Sequence, residues 1–141
     1  MILAAPDREV LFLSPGVEGR RHDKRLAEEM ELSLPETTRL LKDTGFQGFE
    51  IPGTVSVQPK KKPRGKELTE QEKEENRIKS RERVVVEHSI GGIKVWRCVR
   101  EICRSTSYER RDTLTWLAAG LHNFRLRQRK KVKNAYNTNS E

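Results

Sequence analysis

Arg83-Val84-Val85-Val86-Glu87-His88-Ser89-Ile90-Gly91-Gly92-Ile93-Lys94 is the stretch whose reading decides the fold. Ile78, Val85, Val86, Ile90, Ile93 and Trp96 recur at helical spacing and predict one helix with these residues as its core face. Thr69-Glu70-Gln71-Glu72 offers a capping box with acids in the first turn, so the helix is expected to run from there to about Trp96, with Gly91-Gly92 as the place for a bend. On it, Arg83-x3-Glu87-x6-Lys94 sets a carboxylate between two cations on one side.

Upstream, Thr37 to Lys42 reads as a short strand that delivers Asp43 at its C-terminal end, followed by the glycine-punctuated turn Thr44-Gly45-Phe46-Gln47-Gly48. Open sheets containing parallel strands place functional groups at that end. Asp43 and Glu87 together suggest a divalent-metal site for phosphodiester chemistry, because hard cations such as magnesium take oxygen ligands and phosphate accompanies them. Each acid also has a plainer reading. Asp43 could stabilise its own turn, and Glu87 with Arg83 could be an ordinary helical ion pair. The glycine pair speaks against the plain helix, since each glycine costs a helix interior about 0.8 to 1 kcal/mol relative to alanine. A smooth surface beside Glu87 would let a phosphate backbone approach.

Further elements follow from local pattern. Ile2 to Ala4 and Val10 to Ser14, separated by Ala5-Pro6-Asp7-Arg8-Glu9, predict a hairpin, and a chain that opens inside one is expected to be a piece of a longer chain. His22 to Leu32 predicts a solvent-facing helix, ended before Pro35. Val55 to Val57 predicts a strand, and the order of elements suggests a mixed sheet flanked by helices. Leu114, Leu117, Leu121 and Phe124 mark a last helix, with Trp96, Trp116 and Phe124 as packing residues, and Arg125 to Lys133 is expected to trail into a disordered tail.

A low apolar fraction of 33% and a charged fraction of 35% leave room for one modest core. The net charge of +8 is split unevenly: residues 1–57 hold 7 Lys+Arg against 10 Asp+Glu, and residues 58–141 hold 22 against 11. That asymmetry favours a polyanionic partner for the second half, nucleic acid before membrane. Lys60-Lys61-Lys62-Pro63-Arg64 resembles a nuclear import signal, and a basic loop touching phosphates explains it equally well. Cys98 and Cys103 lack zinc-finger spacing and are expected to be reduced, buried or inert thiols, while His22, His88 and His122 are expected to be structural.

The motifs Gly19-Arg20-Arg21-His22-Asp23-Lys24, Asp43-Thr44-Gly45-Phe46-Gln47-Gly48, Lys61-Lys62-Pro63-Arg64-Gly65-Lys66, Asn76-Arg77, Arg81 to His88, Ile90 to Lys94 and Ala119-Gly120-Leu121-His122-Asn123 resemble, in order and spacing, the DDE superfamily endonuclease domain of transposases, of the Harbinger and insertion-sequence-five type. The resemblance implies an α/β fold similar to ribonuclease H, here truncated, with a mixed sheet flanked by helices. It also implies a triad of two aspartates and a glutamate holding magnesium or manganese. Asp43 would be the second member and Glu87 the third, both as catalytic and metal-binding residues. Arg83 and Lys94 would contact DNA, joined by Lys60, Lys61, Lys62 and Arg64. Ser80 stands where the related signature has a tyrosine.

The first aspartate lies upstream of the hairpin in that family. Residues 1–126 are therefore expected to form a partial catalytic domain lacking its first strand and first Asp, and residues 127–141 a basic tail. The implied activity is metal-dependent cleavage and strand transfer of DNA at transposon ends, absent in this chain alone. The alternative is a catalytically inactive DNA-binding or regulatory fragment that self-associates or assembles with full-length transposase. No membrane role is expected, and the place of action would be the cytoplasm in a prokaryote or the nucleus in a eukaryote.

Overall fold

The computed structural model describes residues 1–17, 22–63, 65, 67–100 and 107–138. In chain order the elements are β1 (Ile2–Ala4), β2 (Val10–Leu13), α1 (Asp23–Glu29), β3 (Arg39–Leu41), a 3-10 turn at Thr44–Phe46, β4 (Val55–Val57), α2 (Glu70–Lys94), α3 (Arg97–Arg100) and α4 (Tyr108–Thr138). They fall into two compact units, Met1 with Glu18–Val84 and Ile2–Val17 with Val85–Glu141.

In the first unit, β3 and β4 pair in parallel, Arg39 opposite Val55 and Leu41 opposite Val57. Parallel strands need a crossover of a dozen or so residues, and the 42–54 connection supplies it. Phe49 and Ile51 from that connection bury against Ala27 of α1, with Leu40 and Phe46 packed around them. Gly48, at φ +74°, takes the left-handed conformation that lets the crossover turn back. The capping box forms as expected: the Thr69 amide donates to Glu72 at 3.0 Å and the Glu72 amide to Thr69 Oγ1 at 3.3 Å. That pairing holds the Glu72 carboxyl below its ordinary pKa, the Thr69 amide being the main cause.

In the second unit, β1 and β2 form the antiparallel hairpin, Ile2 opposite Leu13. Its turn puts Arg8 at φ +74°. The Arg8 carbonyl accepts from the fully buried Ser89 hydroxyl and from His122 Nε2, both at 3.0 Å. Asn123 then engages Val10 with both ends of its amide, accepting from the Val10 amide and donating to the Val10 carbonyl at 2.8 Å each. These bonds bring helix and hairpin backbones close, which suits small residues. The core is accordingly Val10, Ile93, Ala118 and Ala119, with Ile2, Leu13 and Val99 against it. Gly92 follows from the same crowding: a Cβ there would lie 2.1 Å from His122 Nδ1, whereas one at Gly91 would meet nothing within 4 Å.

Three expectations are corrected. Among the described residues strand pairing runs within each unit, β1 with β2 antiparallel and β3 with β4 parallel, instead of through one mixed sheet. The face of α4 turned inward is Ala118, Ala119, His122 and Asn123, leaving Trp116 (47% exposed), Leu117 (59%) and Phe124 (61%) outside, because the hairpin takes hydrogen-bonding and small side chains. Similarly Ile78 and Trp96 of the expected α2 face are exposed and Ile93 is its buried apolar residue. Finally, α4 continues through most of the expected tail to Thr138. Arg127 pairs with Glu9 at 3.1 Å and Lys130 with Asp7 and Glu9, which anchors that stretch to the hairpin turn. Among the described residues no helix is long and apolar enough to cross a membrane.

Gly91→Ala is expected to stabilise the chain by up to about 1 kcal/mol through helix propensity, and Gly92→Ala to destabilise it by about 1 to 3 kcal/mol through overpacking on His122. Urea unfolding of the two variants checks this; equal shifts would sink the packing account of Gly92.

The Lys130 hydrogen bond depresses the Asp7 carboxyl and the Arg127 hydrogen bond that of Glu9. A depressed carboxylate contributes stability that is complete above its unfolded value, about 4, and is lost as pH falls through its folded value. Amide exchange of residues 5–10, corrected for intrinsic rates, should therefore begin to accelerate as pH falls through the ordinary carboxylate range, about 4, and level off only below the depressed folded values. Exchange that does not change across that range would contradict the pairing.

Candidate functional site

Asp43 lies two residues beyond β3, as the sequence suggests, and a polar clasp holds it there. Its Oδ1 accepts from the Thr44 amide at 2.6 Å, from Thr44 Oγ1 at 3.3 Å and from Arg83 Nη1 at 2.5 Å, and its carbonyl accepts from Gln58 Nε2. Oδ2 has no protein partner among the described residues, so one oxygen of an exposed carboxylate is left open.

Successive turns of α2 make the clasp. Asn76 grips Lys60 by its amide and carbonyl at 2.8 and 2.9 Å, Lys79 donates to the Gln58 carbonyl at 3.3 Å, and Glu82 takes the Arg39 guanidinium in two bonds of 3.1 and 3.0 Å. Arg83 follows with Asp43. Offsets of three and four along a helix put residues on one side, so the side of α2 that faces β3 and β4 is polar. Next to Asp43 in the chain, Lys42 is buried at 6% exposure, donating to the Phe49 carbonyl and pairing with Glu50 at 2.9 Å. Bonds from Ser56 and then Lys42 hold the Glu50 carboxyl below its ordinary pKa.

The structure thus brings Asp43 and Arg83 together within the first unit. Glu87 and Lys94 are exposed on the part of α2 that belongs to the second unit. Among the expected DNA-contacting lysines, Lys60 pairs with Glu72 and Glu75 at 3.5 Å and Lys62 with Glu67 at 3.6 Å, while Lys61 is exposed with no partner among the described residues. Arg64 and Cys103 lie outside the described residues. Cys98 is an exposed free thiol. His22 and His88 are exposed, whereas His122 has the structural role expected of it.

Carboxylate oxygens are the right donors for magnesium or manganese. Among the described residues, however, no group of three or more His, Cys, Asp or Glu is gathered as a cage. The donor set fits such an ion in type and not in number.

The family model described as DDE superfamily endonuclease matches residues 1–123, which include Asp43, Arg83, Glu87 and Lys94. The chain belongs to the DDE superfamily endonucleases. It is 31% identical over 126 residues to the probable transposase for insertion sequence element IS702 of Microchaete diplosiphon, a match that takes in 89% of this chain and 45% of that protein. The chain therefore spans about half the length of the curated relative. No solved structure gives a significant match.

Within this superfamily member, Asn76, Lys79 and Glu82 tie α2 to Lys60, Gln58 and Arg39, and Lys42 ties the end of β3 to Phe49 and Glu50, contacts that the motifs do not announce. The available signal is a polar series at helical spacing, Asn76, Lys79 and Arg83. Lys42→Met removes the donor to the buried Phe49 carbonyl and is expected to cost about 1 to 3 kcal/mol, read by urea unfolding. No loss of stability would show that Lys42 does not brace the crossover.

Proposed function

We propose that the chain carries the second and third carboxylates, Asp43 and Glu87, of the metal-dependent DNA-cleaving site of a transposase with a ribonuclease H-like catalytic fold. The observation that carries this reading is Asp43 itself: at the C-terminal end of a parallel strand, one carboxylate oxygen is saturated by Thr44 and Arg83 and the other is open. The superfamily match across both acids supports it. Magnesium or manganese would supply Lewis-acid stabilisation and an activated attacking oxygen for phosphodiester cleavage and strand transfer, and Asp43 and Glu87 are the residues of this chain that would help to hold it. Arg83 and Lys94 bind phosphates of the transposon end, and Lys60, Lys61, Lys62 and Arg64 extend that contact.

The second reading is a DNA-binding or regulatory fragment that assembles with a full-length transposase. It is favoured by the donor count: among the described residues no group of three or more His, Cys, Asp or Glu is gathered to hold an ion. Either way the partner is DNA, and the place of action is wherever the genome is.

Purified alone, the chain is expected to cleave no DNA in magnesium or manganese. Joined to the additional catalytic-domain sequence of a close relative, it should give metal-dependent nicking that Asp43→Asn or Glu87→Gln abolishes. Cleavage that survives both substitutions would overturn the assignment. An inactive fusion, with native chain that inhibits an intact related transposase, would select the regulatory reading.

A further inference from the structure

We propose that the C-terminal part of α4 is a second phosphate-binding surface for duplex DNA, carried by Arg125, Arg129 and Lys133. This rests on the reading of DNA as the partner, and it adds a site that lies beyond residue 123, where the superfamily match ends.

The three cations stand at i, i+4 and i+8 of a continuous helix. A rise of about 1.5 Å per residue puts them in a line roughly 12 Å long on one side. That length covers the axial rise of three to four phosphates of one DNA strand, at about 3.4 Å each. All three are exposed and have no partner among the described residues. Their neighbours differ: Arg127 and Lys130 are committed to Glu9 and Asp7, and this pairing fixes the helix to the hairpin turn. One set of cations anchors the helix and another is left open.

Residues 113–138 contain no Asp or Glu. A helix that is merely solvated interleaves the two signs, as α2 does with Lys73 on Glu70 and Arg77 on Glu74. In α4 the open cations are spaced at i, i+4, where like charges repel and weaken the helix. A polyanion along the line relieves that repulsion and releases condensed counterions from the DNA. The loop lysines offer less, since Lys60 and Lys62 already have carboxylate partners.

The test is fluorescence anisotropy of the full chain with a labelled duplex of arbitrary sequence over a range of salt. The variants are the triple Arg125→Gln/Arg129→Gln/Lys133→Gln, the charge-keeping Arg125→Lys/Arg129→Lys, and Lys60→Gln/Lys61→Gln/Lys62→Gln, with circular dichroism to confirm retained helix. Each lost phosphate contact removes about 0.9 from the slope of log K against log salt, so the triple glutamine variant should lose roughly 2.7. The charge-keeping variant should keep the native slope, and the loop variant should lose less than the α4 variant. A native chain that binds while the α4 variant, equally helical, retains the full slope overturns the helix surface and leaves the proposed function standing. A native chain that binds no duplex at low salt overturns both, as does binding confined to anionic lipid vesicles.

Discussion

The second unit depends on the need to satisfy the peptide groups of a hairpin turn. Arg8 is held in a left-handed conformation, and its carbonyl and both backbone groups of Val10 find partners on helix side chains. A buried peptide group without a partner costs about 1 to 3 kcal/mol, so Ser89, His122 and Asn123 are placed by that need. Everything near them is then constrained in size. Gly92 admits the His122 ring, and Ala118 and Ala119 bring α4 close to β2. The large apolar residues of α4 are left on other faces, which explains an exposed tryptophan and phenylalanine beside a core of alanines.

The first unit uses the same device for a different end. Asn76 reads the backbone of Lys60 as Asn123 reads that of Val10, with one side-chain amide standing in for a strand neighbour. Around it, Lys79, Glu82 and Arg83 join α2 to Gln58 just after β4, to Arg39 of β3 and to Asp43 just after β3. Asp43 is thereby held by charge and hydrogen bonds more than by burial. The guanidinium that steadies its carboxylate is also the group that the proposed function assigns to DNA, so that proposal carries with it a coupling between DNA binding and the geometry of Asp43.

Much of this is written locally and could be read from the sequence. Thr69 and Glu72 announce the start of α2, the turn after Asp43 announces the end of β3, and Val55 to Val57 form β4 as expected. The phase of α4 is not written that way. Leu114, Leu117, Leu121 and Phe124 have helical periodicity, as do Ala118, His122 and Asn123, and hydrophobicity alone selects the wrong set. What decides is the backbone of a hairpin more than a hundred residues away in the chain. Strand pairing is hidden for a related reason: the strands are visible one at a time, while which of them pair is settled by tertiary contacts. For the candidate site, Asp43 and Arg83 were legible as motif residues, and the buried Lys42 next to Asp43 in the chain was not, because its neighbours Phe49 and Glu50 come from the far side of the crossover.

The same hairpin imposes an order on folding. Val10 and Asn123 are 113 positions apart, and Arg8 and His122 are 114 apart. The first unit apart from Met1, by contrast, is one uninterrupted run of chain. During synthesis that run is complete while α4 is still unmade, so its core can close early and the hairpin must wait with unsatisfied peptide groups. Long-range closure of this kind is slow and leaves pairing-competent strand edges open in the meantime. The newly made chain is therefore vulnerable to aggregation and proteolysis until α4 arrives.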